Sequence, residues 1–192
     1  MQLDASLPLK KQLWQQTMKA KIENQASVLY TCKKEVVKCM KVWANDVNSG
    51  DPDILEARAA AYYWKCMFSD IEGFTREREG IPPNNLLNYG YAIVRGMIAR
   101  SIICYGLEPS LGLFHSSELN SYNLADDFIE VFRPVVDLHV SNRFDISEVS
   151  RALTPEIKRE LYGIVNYDML VRGEKHILSN CIDKAVASYS SA

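Results

Sequence analysis

A chain of 192 residues, 47% of them hydrophobic and with a net charge of −2, can bury one core and reads as an ordinary globular protein. No window approaches ~18 consecutive apolar residues, and the opening MQLDASLPLKK lacks the apolar run and small-residue cleavage site of a signal peptide, so the expectation is a cytoplasmic protein with no membrane association. Cys32, Cys39, Cys66, Cys104 and Cys181 are odd in number, form no C-x-x-C pair and sit mostly inside periodic apolar segments, which argues for reduced core thiols rather than disulfides or zinc ligands.

The basic charge is concentrated early. Residues 1–45 hold eight lysines against Asp4, Glu23 and Glu35, a balance of +5, so the remainder carries −7. Trp14, Met18, Ile22, Ala26 and Leu29 recur every three or four residues and predict a first helix; Val36, Met40, Trp43 and Val47 predict a second, with Lys34, Lys38 and Lys41 on its opposite face. After the turn NSGDP a helix is expected from about Asp53 to Phe68, followed by the charged loop EGFTREREGIPPNN. The segment 85–106 is apolar on most sides and ends on Gly106, as a buried central helix would. A further helix covers 124–132, and helices near 155–171 and 173–189 close the chain. The reading is all-α: a bundle of six or more helices around 85–106, in one domain spanning 1–192.

Candidate chemistry centres on HSSELNSYNLADDFIEVFRP, residues 115–134. On a helical wheel Leu124, Phe128, Val131 and Phe132 gather on one side, while Asp126, Asp127 and Glu130 share the other. Carboxylates three and four apart repel by ~0.2–0.5 kcal/mol per pair on an exposed helix, and a divalent cation would relieve them. A solvated acidic face near a helix start explains the same residues, and a lone His115 after LGLF can be a packing residue. Asp53 and Glu56 have the spacing of a capping box, and Ala57, Ala59, Ala60 and Ala61 allow close approach of another backbone or a substrate. Spacing alone leaves these readings open.

The run LNYGYAIVRGMIARSIICYGLEPSLGLFH followed by NLADDFIEVFRPVVD closely resembles the CRISPR-associated spacer-acquisition integrase, the universal Cas-one family. LWQQTMKAKIENQA is similar to the branch that accompanies single-protein RNA-guided effector nucleases, DPDILEARAAAYYWKCMF to the family's catalytic-glutamate helix, and LTPEIKRELYGIV to its closing helices. The resemblance implies Glu56, His115 and Glu130 as catalytic metal ligands, with Asp127 near the metal or behind it. It also implies double-stranded DNA (spacer precursor and repeat) as substrate, a homodimer in the full-length protein and a small adaptation subunit of ferredoxin-like fold as partner. The family's N-terminal β-rich dimerisation domain has no counterpart in this sequence, so the expected domain is the helical catalytic one. An inactive helical DNA-binding or assembly module is the alternative.

The implied reaction is attack of a DNA 3′-hydroxyl on a phosphodiester, with nuclease activity as a variant. It needs no side-chain nucleophile, only positive charge at the phosphate and a deprotonated hydroxyl, both of which a divalent cation supplies. Carboxylates suit Mg²⁺ or Mn²⁺, and the imidazole tilts the balance toward Mn²⁺. For phosphate contact the candidates are Arg58 and Arg95 near the metal and Lys34, Lys38 and Lys41 (with Lys19 and Lys21) on the basic face; each can equally be a solvated or structurally paired residue. Arg133 and Asp137 are expected to form a local ion pair or cap.

Overall fold

The computed structural model describes residues 2–34, 37–50, 54–171 and 173–191, apart from the side chain of Leu3. After a short 3₁₀ turn at Gln2–Asp4 the helices are α1 (Leu7–Lys33), α2 (Lys38–Asp46), α3 (Leu55–Met67), α4 (Asn84–Cys104), α5 (Asn123–Arg143), α6 (Pro155–Tyr162) and α7 (Leu178–Ser190). The expected all-α bundle is borne out. Among the described residues no helix is long and apolar enough to cross a membrane.

Local chemistry sets the helix ends. Ser6 caps α1 by accepting from the Leu9 amide, with Pro8 in the first turn, and Lys34 closes it in the left-handed region at φ 57. Thr154 caps α6 in the same way. The inward stripe of α1 contains Trp14, Met18, Ile22, Ala26 and Leu29 as expected, but also Lys21 and Gln25. Helix α5 runs between α1 and α4, and 13 of its 21 residues are buried. It approaches α4 so closely that a Cβ on Gly90 would lie 2.5 Å from Val136 Cγ1. Within α5, Pro134 has no N–H to give the Glu130 carbonyl. Beside it, Asn24 of α1 donates its Nδ2 to the Val131 carbonyl at 2.9 Å.

Three expectations change. Lys34 terminates α1 and does not lie on α2, so Lys34, Lys38 and Lys41 do not share one helical face; Val36 lies outside the described residues. The two closing helices are shorter: after α6 and a 3₁₀ turn at Gly163–Asn166 comes an antiparallel hairpin, β1 (Asp168–Val171) and β2 (Glu174–Ile177), before α7. Met169 and Val171 alternate inward with period two, and Gly173 at φ 84 makes the turn, which a helical reading of 155–189 overlooks. Cys104 is exposed rather than in the core, although all five cysteines are free thiols.

Candidate active site

A cleft of about 780 Å³ opens where α1, α3, α4 and α5 meet the loop before α5, and Lys21, Glu56, Arg95, His115, Asp126, Glu130 and Arg133 line it. The three implied ligands, far apart in sequence, therefore meet in one cavity. Glu56 stands in the first turn of α3. Asp53, its expected capping partner, lies outside the described residues; the Glu56 carboxylate is engaged by Lys21.

Glu130 is 9% exposed and is held by two cations. Lys21 Nζ donates to Oε2 at 2.5 Å, and Arg133 Nε donates to Oε1 at 2.7 Å. Burial pushes the Glu130 carboxyl up, but Lys21 and Arg133 outweigh it and hold it below the usual glutamate range. Lys21 also reaches Oε1 of Glu56, so one ammonium bridges carboxylates from α3 and α5. Gln25, one turn beyond Lys21, lines the cleft as well, and its Oε1 is buried with no hydrogen-bond partner among the described residues.

His115 is placed by Asp127, whose carboxylate is fully buried. Asp127 accepts from the amides of Leu113 at 2.5 Å, Phe114 at 3.1 Å and His115 at 3.2 Å, and meets His115 Nδ1 at 2.7 Å. That wrap requires Gly112: a Cβ there would lie 2.2 Å from the His115 carbonyl and 2.7 Å from Asp127 Oδ2. Trp14 stacks on Phe114 at 4.5 Å and sits edge-on to the His115 ring at 6.2 Å. With Nδ1 engaged, Nε2 is the nitrogen available to a ligand. The hydrogen bond to Asp127 raises the His115 pKa above its ordinary value despite partial burial.

The acidic helix is thus not a crowd of repelling carboxylates. Asp126 takes Arg95 in a two-point pair at 2.5 and 2.9 Å, Asp127 takes the loop amides and His115, and Glu130 takes Lys21 and Arg133. Arg95 thereby lines the cleft while paired to Asp126 and stacked over Tyr122. Arg58 is exposed and lies 4.7 Å over the Trp43 ring, outside the cleft; Lys34, Lys38 and Lys41 are exposed and also outside it.

Arg133 and Asp137 do not form the expected local pair. Arg133 turns back to Glu130, and Asp137 accepts from Tyr63 Oη at 2.8 Å and from Tyr91 Oη. Burial pushes the Asp137 carboxyl up to about 6 although both hydroxyls act to lower it. Lys21 is the residue whose place in the site the sequence reading missed. Its signal was present, since it falls three after Met18 and four before Gln25 on the inward stripe.

Among the described residues no three His, Cys, Asp or Glu side chains are gathered tightly enough to grip an ion as they stand. The donor chemistry nonetheless fits one. Two carboxylates already share a cation, and an imidazole anchored through Nδ1 to a buried aspartate has the carboxylate–histidine arrangement common behind metal ligands.

Residues 3–152 match the family model described as CRISPR associated protein Cas1. The chain belongs to the Cas1 family. A relative from Neisseria meningitidis serogroup C, the CRISPR-associated endonuclease Cas1, is 42% identical over 192 residues, covering all of this chain and 62% of its own length. A Thermus thermophilus Cas1 endonuclease is 40% identical over 117 residues, 55% of this chain and 37% of that one. The chain therefore spans less than two thirds of the length of these Cas1 relatives. Two solved structures share the fold: a Cas1 protein from Thermotoga maritima, with TM-score 0.80 and 15% identity, and a casposase bound to integration product, with TM-score 0.78 and 19% identity. Each likeness covers 96% of this chain and 66% or 64% of the other.

Proposed function

We propose that residues 1–192 form the helical catalytic domain of a divalent-metal-dependent DNA integrase and endonuclease that inserts spacer DNA into a CRISPR array. The observation that carries the reading is the meeting of Glu56, His115 and Glu130 in one cleft whose carboxylates already bind a cation. Glu56, Glu130 and His115 Nε2 would hold Mg²⁺ or Mn²⁺, which when bound polarises a phosphodiester and lowers the pKa of an attacking hydroxyl.

The chain's own residues have distinct tasks. Asp127 fixes the orientation and tautomer of His115, and Glu130 stays ionised because Lys21 and Arg133 hold it so. Arg95 and Arg133, with Arg76 and Arg78 from the loop before α4, set positive charge around the cleft for an incoming phosphate. Arg58, Lys34, Lys38 and Lys41 would contact the duplex farther out, without reading its sequence. In the full-length protein the substrate is double-stranded DNA, the assembly is a homodimer, and the partner is a small adaptation subunit of ferredoxin-like fold.

The test is strand transfer of a DNA 3′-hydroxyl end into a repeat-containing duplex by the full-length protein with Mn²⁺ or Mg²⁺. Glu56→Gln, His115→Ala and Glu130→Gln should each abolish it, and Mn²⁺ should serve at least as well as Mg²⁺. Substantial activity in Glu130→Gln, with helicity preserved, would overturn the ligand assignment. Metal-independent DNA binding with no strand transfer in the parent would favour an assembly module.

A further inference from the structure

Lys21 is 8% exposed, and its ammonium is committed to Glu56 Oε1 and Glu130 Oε2, carboxylates carried by two other helices. A buried ammonium is tolerated only with close partners, and here those partners are the carboxylates assigned above to a divalent ion. A divalent ion would compete with the ammonium there: Mg²⁺ coordinates oxygen at about 2.1 Å, and Lys21 already engages Glu56 Oε1 and Glu130 Oε2. Charge leads to the same conclusion. Glu56 and Glu130 are balanced by Lys21 and by Arg133 on the other Glu130 oxygen, so the four groups are neutral together. A divalent ion entering beside Lys21 would add two positive charges to these four groups in a partly dry cleft.

We propose that Lys21 is a resident cation that holds Glu56 and Glu130 together in the metal-free protein and is displaced from between them when a divalent ion binds, so that it sets the metal affinity of the site. The inference rests on Glu56 and Glu130 being the ligands. Lysine suits the role because a compact charge on a flexible four-carbon stem can leave one pair of oxygens and turn toward the open cleft, where a phosphate of bound DNA would receive it. Asn24, one turn along α1, keeps the backbone beneath it fixed to α5 during that exchange. The site is thus prepaid for opposite charge before any metal arrives, and free metal binds weakly until the lysine has somewhere else to go.

The test is calorimetric titration with Mn²⁺ alone, together with thermal unfolding with and without Mn²⁺, on the 192-residue chain and its Lys21→Met and Lys21→Arg variants. Lys21→Met keeps the apolar stem and should bind Mn²⁺ about ten-fold more tightly or better, with a lower metal-free melting temperature and a larger rise on adding Mn²⁺. Lys21→Arg should bind no more tightly than the parent. Equal or weaker Mn²⁺ affinity in Lys21→Met overturns the proposal. Should Lys21→Met be unfolded without metal, recovery of its helical circular dichroism by Mn²⁺ supports the proposal, and failure to recover overturns it. Glu130→Gln added to Lys21→Met separates the two readings: loss of the tightened binding supports both, whereas unchanged Mn²⁺ binding shows that the ligand assignment itself has failed. If Glu130→Gln and His115→Ala weaken binding in the parent while Lys21→Met changes nothing, the ligands stand and the role of Lys21 falls.

Discussion

Glu130 and Asp137 stand two turns apart on one side of α5, both nearly inaccessible at 9% and 1%, yet their environments move them in opposite directions. Around Glu130 the partners are cations on long side chains, and the carboxyl is held below its usual range. Around Asp137 the partners are two neutral tyrosine hydroxyls set in the core, and burial takes it up to about 6. Arg133 marks the boundary: it bonds Glu130 and lays its guanidinium 4.7 Å over the Tyr91 ring. On the function proposed above, Glu130, whose neighbours carry charge that can be exchanged, is the metal ligand, and Asp137, whose hydrogen bonds come from neutral hydroxyls, is structural.

The largest expected effect tests that division directly. Glu130→Gln should lower strand transfer by the full-length protein by about a hundred-fold or more, in line with the loss of a group acting on the reacting phosphate, whereas Asp137→Asn should retain metal-dependent activity wherever it is folded. An Asp137→Asn protein that is folded but inactive would erase the distinction.

Asp137 should dominate the pH dependence of stability instead. Its folded pKa of about 6 lies above the usual value, so the native state binds the proton more tightly; the stabilisation is complete below pH ~4 and is lost as pH rises through about 6. The loss is on the order of 3 kcal/mol by the conversion of a two-unit shift. Denaturant unfolding between pH 4 and 7 should show a falling difference between the parent and Asp137→Asn, and a flat difference would remove Asp137 as its source. Glu130, held low, works with the opposite sign: its contribution is present above the unfolded glutamate range and fades as the solution becomes more acidic.

Smaller effects follow. Tyr91→Phe leaves Asp137 Oδ1 without that donor and should cost about 1–3 kcal/mol in chemical denaturation. Asp126→Asn removes the Arg95 pair, whose side chains are 23% and 36% exposed, and should cost about 1 kcal/mol or less, with the cost shrinking in high salt. A salt-insensitive loss would mean that Asp126 belongs with the buried pair rather than on the rim.

Most of the bundle was legible because its periodicity was strong: Trp14 through Leu29 and Leu87 through Ile102 point inward as the 3.6-residue repeat demands. The hairpin was not, since four-residue strands carry too little alternation to outweigh the helical signal on both sides. At the site, the carriers of candidate chemistry could be named from motif, but not the pairing among them. Asp126, Asp127 and Glu130 look alike on a wheel, and only tertiary contacts give them Arg95, the His115 loop and Lys21 respectively. Lys21 lay in plain view on an apolar stripe, but a lysine in the basic first quarter of the chain reads as surface charge until Glu56 and Glu130 are brought to it by two other helices.

A regular helix is a uniform ladder along which a neighbour could settle a turn too high or too low. Pro134 removes one rung of α5, and the clasp from Asn24 to the Val131 carbonyl beside it gives that ladder an address. The distance from Asn24 back to Lys21 then works as a ruler: deleting one residue between them would swing the ammonium by about 100° around α1 and aim it away from the carboxylates it now joins. The Asn24 clasp thereby ties the turn of α1 that carries Lys21 to one place on α5.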